Sequence, residues 1–329
     1  MRRFQCPSCG HEVFFASTVC LSCGISLVYS PGKGFQPSTG GAVHCANRAA
    51  IACNWAAEVG ELCLSCCHTT MVPDPSVDGN TERWSRIEAA KRPVIRALHH
   101  LRLPLADAQG RPAPVFELKG DSADPAEPRV LTGHDNGTIT LNIAEADDSE
   151  RERMRKAMRE PYRTLSGHLR HEVAHHYWDV LAAADPVRLD ALRAAFGDDR
   201  RDYGAALQAH YRNGPPDDWA GRYISAYASS HPWEDFAETW AHVLHLLDGL
   251  ETARAFGLVP ADLPDDLPGL ARLPMQRLAE VWIALSVALN AVNQAMGHET
   301  FYPFVLNPPV IDKMEAVRRL LPVAAGQER

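Results

Sequence analysis

Apolar positions follow a helical period through most of the second half of the chain and a strand-like alternation in a short middle stretch, while the front segment follows neither. From Tyr162 through Leu165, Leu169, Val173, His176 and Val180 the spacing is that of an α-helix, opened at Pro161 and stopped after about Ala184 by Asp185-Pro186. Further helices are expected over roughly 186–196, 202–212, 233–248, 274–297 and 309–321. In the third of these, Ser230-His231-Pro232 reads as the start, and Trp233, Phe236, Ala237, Trp240 and Val243 form the buried stripe. Asn80-Thr81 caps another helix that runs to about Arg92, where Pro93 kinks it or begins a new one ending at Leu101. Val115–Leu118, Arg129–Thr132 and Thr138–Ile143 read as short strands, and Asp135-Asn136-Gly137 as the hairpin turn before the last. The pattern describes an α+β, mostly helical chain in three parts. These are a cysteine-rich region over 1–70, a linker and helical connector over 71–104, and a domain with a small β-sheet over 105–329.

Order in the front segment needs another source. Cys6-Pro-Ser-Cys9-Gly and Cys20-Leu-Ser-Cys23-Gly are two CxxC knuckles, each followed by a Gly that permits the tight turn around a metal. Four thiolates at this spacing form a closed, structural zinc site. Cys45, Cys53, Cys63 and Cys66 form a second set ending in CxxC; its front half lacks a knuckle, so His44, Cys67 and His68 stand as substitutes. Eight of the nine cysteines are used in this way and Cys67 is left over. A region so rich in Gly, Ser and Cys is expected to be stabilised by zinc more than by apolar burial.

Charge and composition narrow the partners. A chain of 329 residues with 46% hydrophobic content has material for two or more domains. Residues 1–68 carry Arg2, Arg3, Lys33 and Arg48 against Glu12, Glu58 and Glu61, a net of +1, and two four-thiolate zinc sites, each at −2, take this to −3. With the whole chain at −8, nucleic acid is disfavoured. The ribbons are instead expected to dock a protein partner, cover a cleft or stabilise the N-terminus. MRRFQCPSCG has no apolar stretch for a secretory signal, and cleaving one would remove the first knuckle, so the expected location is the reducing cytoplasm. The longest apolar run, around Val281–Leu289, is short of a bilayer's thickness, and no membrane is expected. Arg83, Arg86, Lys91, Arg92, Arg96 and Arg102, set against Glu82 and Glu88, read as a solvated face or one packed on an acidic part.

The segment GHLRHEVAHHYWD, residues 167–179, places His171, Glu172 and His175 in the order HExxH within a predicted helix. Two His four residues apart lie on one helix face, so both imidazoles reach one metal ion with Glu172 beside its open position. The alternative, a His-rich polar face, is weakened by a source of third ligand downstream, since catalytic zinc keeps three protein ligands. In YISAYASSHPWEDFAETWAH, residues 223–242, Glu234 and Glu238 share a face, so one can bind the metal while the other accepts the free ring N–H of a ligating His. His176 points about 100° away around the helix and reads as packing. Asp179 is a further candidate for orienting a ligand, and His231 and His242 stand in reserve as ligands.

HExxH followed by a helix carrying EDFAE resembles the gluzincin branch of the zincin metallopeptidases, and the interval from Tyr227 to Glu234 is similar to that in anthrax lethal factor and its relatives. The chain as a whole, with its cysteine-rich front and the stretches LTGHDNGTITLNIAEAD and YPFVLNPPVIDKM, resembles a bacterial family of zinc-binding metallopeptidases with an N-terminal zinc ribbon. The resemblance covers nearly all residues. It implies a zincin-like domain behind a zinc ribbon, with one catalytic and two structural Zn2+ ions. It makes Glu234 the third ligand and leaves Glu238 to orient a His. It places Tyr227 opposite the scissile carbonyl, with Tyr223 as fallback, and makes Thr138–Ile143 the edge strand that pairs with extended substrate. It also extends over the loop of His298, Glu299 and Tyr302, which by itself reads as a structural turn. The implied reaction is hydrolysis of a peptide bond in a peptide or protein substrate. Glu172 moves the proton of water to the leaving amine, Tyr227 donates to the oxyanion, and zinc supplies the lowered water pKa. Two other classes compete: a zinc-binding scaffold with an inactive peptidase-like domain, against which the intact Glu172 argues, and a zinc hydrolase of an isopeptide or other amide.

Overall fold

A computed structural model describes residues 2–38, 43–122, 124, 126–158, 160 and 162–325. The chain divides into two compact units, Met1–Leu169 and Arg170–Arg329.

The first unit begins with three small antiparallel hairpins. They pair β1 (Phe4–Gln5) with β2 (Glu12–Val13), β3 (Leu27–Ser30) with β4 (Gly34–Pro37), and β5 (Val43–His44) with β6 (Ala56–Ala57), the last pair enclosing the short helix α1 (Arg48–Ile51). An aromatic cluster joins them: the Tyr29 ring lies 4.9 Å from Phe15, 5.4 Å from Phe35 and 5.5 Å from Trp55, centroid to centroid. Tyr29 and Trp55 are fully buried. The region thus has more of an apolar core than its composition predicts.

Strand β7 (Thr69–Met71) leads to α2 (Asn80–His100), a single helix that runs through Pro93. A proline inside a helix costs about 3 kcal/mol, and burial of Val94, Ile95, Ala97 and Leu98 immediately after it offsets that cost. Gly79 rather than Asn80 is the N-cap. The basic residues of this helix do not form a wholly solvated face. Lys91, Arg92 and Arg96 are buried; Lys91 Nζ donates to Glu88 at 2.8 Å and Arg96 Nε to Tyr29 OH at 3.2 Å.

A four-stranded sheet follows, in the order β7, β8 (Val115–Lys119), β10 (Thr138–Asn142), β9 (Gly133–Asp135). β10 runs parallel to β8 and antiparallel to β9 across the Asn136-Gly137 turn. The expected edge strand is therefore central: Thr138–Asn142 is paired on both sides, and the edges are β7 and β9. Alternation reports the buried face, here Ile139 and Leu141, but not whether the backbone edges find neighbours. Nor do residues 129–132 form a strand. The Val130 N–H is taken by the Asp121 carboxylate at 2.8 Å, so the ladder begins only at Gly133. The helix α3 (Asp148–Met158) and the first turn of α4 (Leu165–Tyr177) complete this unit. Thr164 Oγ1 accepts from the Gly167 N–H at 3.0 Å and so caps α4, and His168 Nδ1 lies 2.5 Å from the buried Glu145 carboxylate.

The second unit holds the rest of α4, which passes at Trp178–Ala183 into a π-helical turn before Asp185 caps α5 (Pro186–Phe196). Then come α6 (Tyr203–Asn213), α7 (Pro232–Ala255), α8 (Leu267–Arg272), α9 (Met275–Ala295), α10 (Pro308–Leu320) and α11 (Pro322–Ala325). Helix α7 is its axis. Phe236, Ala237, Trp240, Val243, Leu247 and Leu250 are all fully buried and continue the expected stripe along the helix. Tyr177 of α4 stacks on Trp240 at 5.2 Å and Trp178 meets Phe236 edge-on at 4.9 Å, which fixes the rotation of α4 against α7. Helix α9 is, by length and composition, the one helix among the described residues that reaches membrane-spanning size, with a mean hydropathy of 1.2. It buries Leu278, Trp282 and Leu285 on one side and exposes Ile283, Val287 and Val292 on the other.

Candidate metal centres

Each set of four cysteines converges. Cys6 Sγ lies 3.8 Å from Cys23 Sγ, and Cys9 Sγ lies 3.7 Å from Cys20 Sγ. In the second set Cys53 Sγ is 3.7 Å from both Cys63 Sγ and Cys66 Sγ, and Cys45 belongs to the same group. Tetrahedral zinc with bonds of about 2.3 Å holds sulfurs about 3.8 Å apart, so both sets fit the ion. The substitutes are engaged elsewhere: His44 with Ser38 Oγ, the His68 Nδ1 with the Pro114 carbonyl at 2.7 Å, and the Cys67 thiol with the Leu64 carbonyl. Behind the second set, Glu88 approaches Cys66 Sγ to 3.9 Å while also bonding Lys91.

The third group is assembled from two helices of the second unit. Residues 171 and 175 lie one turn apart on α4, and Glu234 occupies the first turn of α7. His231, the N-cap of α7, accepts from the Trp233 N–H at 3.1 Å, and Pro232 sets the first helical φ. His171 Nε2 lies 3.3 Å from His175 Nε2 and 3.0 Å from Glu234 Oε2, which is 3.8 Å from His175 Nε2. Zinc bonds of about 2.0–2.1 Å in a tetrahedral arrangement require donors roughly 3.3 Å apart, so these three fit. All three residues are buried, and among the described residues no atom makes a well-aligned hydrogen bond to Glu234 Oε2.

Electrostatics favour a cation. Burial works against a charged His171, but the adjacent Glu234 and Glu238 carboxylates outweigh this and raise its pKa well above the ordinary value. Burial would likewise raise Glu234, yet His171, His175 and Tyr203 hold it at about 2. The two carboxylates favour a second positive charge at this ring, and a metal ion would take the place of the proton on Nε2.

The second carboxylate of α7 faces the other side of the same ring. Glu238 Oε1 lies 2.8 Å from His171 Nδ1, and Ser225 Oγ donates to Glu238 Oε2 at 2.7 Å. Nδ1 then carries the proton and Nε2 is left with its lone pair toward Glu234 and His175. Asp235, between the two, turns away to Lys313 at 2.6 Å. Glu172 is buried one residue from His171. Tyr227 sits in a short 3-10 turn, its ring 6.1 Å from that of His171, and burial pushes its pKa up, so the phenol stays protonated. The Trp233 indole lies against His175 at 3.9 Å.

Other candidates fall outside this group. His231 also bonds the Arg201 carbonyl, and His242 is paired with Tyr302 OH at 2.9 Å, with burial lowering it to about 4. His298 and Glu299 are exposed, and Tyr302 is buried in the packing beside Trp282. Asp179 is exposed on the π-helical turn. Two contacts had no signal in the chain. Tyr203 OH donates to Glu234 Oε1 at 2.6 Å from α6, and Ser225 supports Glu238; neither residue stands at a recognisable interval from the motif.

The chain matches, over residues 80–320, the family described as "Putative zinc-binding metallo-peptidase", and over residues 3–37 a zinc-ribbon domain family. It is similar to uncharacterized proteins of Mycobacterium tuberculosis and Mycobacterium bovis, each 40% identical over 327 residues, 98% of this chain and 95% of the relative. No solved structure matches it.

Proposed function

The chain belongs to this family of zinc-binding metallopeptidases with an N-terminal zinc ribbon, and on that premise we propose that it hydrolyses peptide bonds at the centre of His171, Glu172, His175 and Glu234. The observation that carries the reading is the triangle of two imidazole nitrogens and one carboxylate oxygen, with Glu172 on the same helix turn. Zinc held there would supply Lewis-acid chemistry, making a water molecule nucleophilic and polarising the scissile carbonyl. Glu172 takes the proton of the attacking water and delivers it to the leaving amine, a task suited to a carboxylate that does not ligate. Tyr227, kept as a phenol by burial, donates to the oxygen on which negative charge develops. Glu238 and Ser225 hold His171 in one tautomer. The opening of α7 with EDFAE supports the gluzincin reading, in which the earlier Glu of the pair is the ligand.

The reading predicts three zinc ions per chain in protein purified under reducing conditions. The ion at the three-ligand site should leave first on titration with a chelator, because its coordination is open, whereas the four-thiolate ions should persist. Elemental analysis alongside cleavage of a peptide library tests this. Cleavage that survives loss of the labile ion, or a content of only two ions in folded protein, would sink the proposal.

A further inference from the structure

Helix α6 is an unusual neighbour for a buried metal centre. None of its eleven residues is buried, and its inward side is only the half-buried Ala206, Leu207 and His210 with Tyr203 at the first turn. Its ring contacts nevertheless lead to the site. The Tyr203 ring stands edge-on to Trp233 at 5.6 Å and to His231 at 5.3 Å, and the His210 ring edge-on to Tyr227 at 6.1 Å. The segment is bounded by Gly197, with φ of 104°, and Gly214, with φ of 77°, conformations that L side chains rarely adopt. A helix with so little burial belongs to the low-stability end of a fold.

Tyr203 also acts on the ligand itself. A carboxylate can offer either oxygen or both to a metal, and the Tyr203 phenol donates to Glu234 Oε1 at 2.6 Å. That leaves Oε2 as the oxygen nearest His171 Nε2, at 3.0 Å. We propose that Tyr203 is the positioning residue of the metal centre, selecting which oxygen of Glu234 meets the ion, and that α6, hinged at Gly197 and Gly214, is a cover that brings this phenol onto the site. The inference rests on the zinc reading given above. Coupling between the two events is reciprocal: the factor by which a docked α6 strengthens zinc binding equals the factor by which zinc strengthens docking.

Full-length Tyr203→Phe is the test, since it keeps the ring against Trp233 and His231 and removes only the hydroxyl. Zinc affinity at the chelator-labile site should fall by ~10 to 100-fold, the scale for loss of a ligand's supporting hydrogen bond. The four-thiolate ions and the far-UV circular dichroism should not change. In the wild-type protein, zinc added back to the chelated form should slow hydrogen exchange across residues 203–213, and Tyr203→Phe should lose that protection. Unchanged affinity in the variant, or exchange in the wild type indifferent to zinc, overturns the inference. A wild-type protein with no chelator-labile zinc would instead remove the reading beneath it.

Discussion

Glu172→Gln is expected to keep all three zinc ions and an unaltered melting profile while peptide cleavage falls by ~10²-fold or more, the usual contribution of a general base. The substitution is nearly isosteric, and the side chain is buried beside His171. Glutamine can still accept a hydrogen bond from water but cannot carry a proton away, so the loss should appear in kcat rather than in metal content. Rates on a peptide chosen from the library screen, with zinc measured on the same sample, give the answer. Undiminished cleavage would mean that another residue is the base or that the activity belongs to a contaminant.

Glu234→Ala should empty the labile site altogether and reduce cleavage to background, while two zinc ions remain on the cysteine sets. Glu238→Ala should only weaken the site, by ~10 to 100-fold in affinity or activity. The two residues lie one turn apart on α7, yet they face opposite nitrogens of one imidazole. Glu234 Oε2 stands 3.0 Å from His171 Nε2, and Glu238 Oε1 stands 2.8 Å from Nδ1. On the proposed reading, removing the first would delete one of three ligands, and removing the second would free the tautomer of a ligand that remains. Competition with a chelator of known affinity separates the outcomes. An emptied site in Glu238→Ala with retention in Glu234→Ala would exchange the roles.

What could be read from the chain was whatever is written in intervals. The CxxC pairs, HExxH and the four-residue step between Glu234 and Glu238 are local, and each dictates a geometry before any tertiary contact forms. Most helices were legible for the same reason, although α7 runs on to Ala255, past the expected end at 248. Tyr203 and Ser225 were invisible because their roles arise from chain segments meeting in space. The central placement of β10 was misread because an alternating strand looks the same at an edge and in the middle of a sheet. The charges of α2 were legible only in part: Arg83 and Arg86 stay partly solvated and reach the acidic Asp147, but the buried ones were not foreseen. Lys91 lies buried on Glu88, and Arg96 on Tyr29, partners that lie close in space and that charge counting cannot name.

The candidate three-donor centre takes its donors from two helices only, and this sets what evolution can change around it. A residue inserted inside α4 between His171 and His175 would swing one imidazole about 100° around the axis, and the same insertion between Glu234 and Glu238 would part the ligand from its partner carboxylate. The stretch from the π-helical turn through α6 to Ser230 joins those helices without contributing a donor. Apart from Tyr203, Ser225 and Tyr227, which reach the site from this stretch, its composition can drift between relatives while the metal geometry stays put, which makes it the part of the molecule where differences in substrate choice would accumulate first.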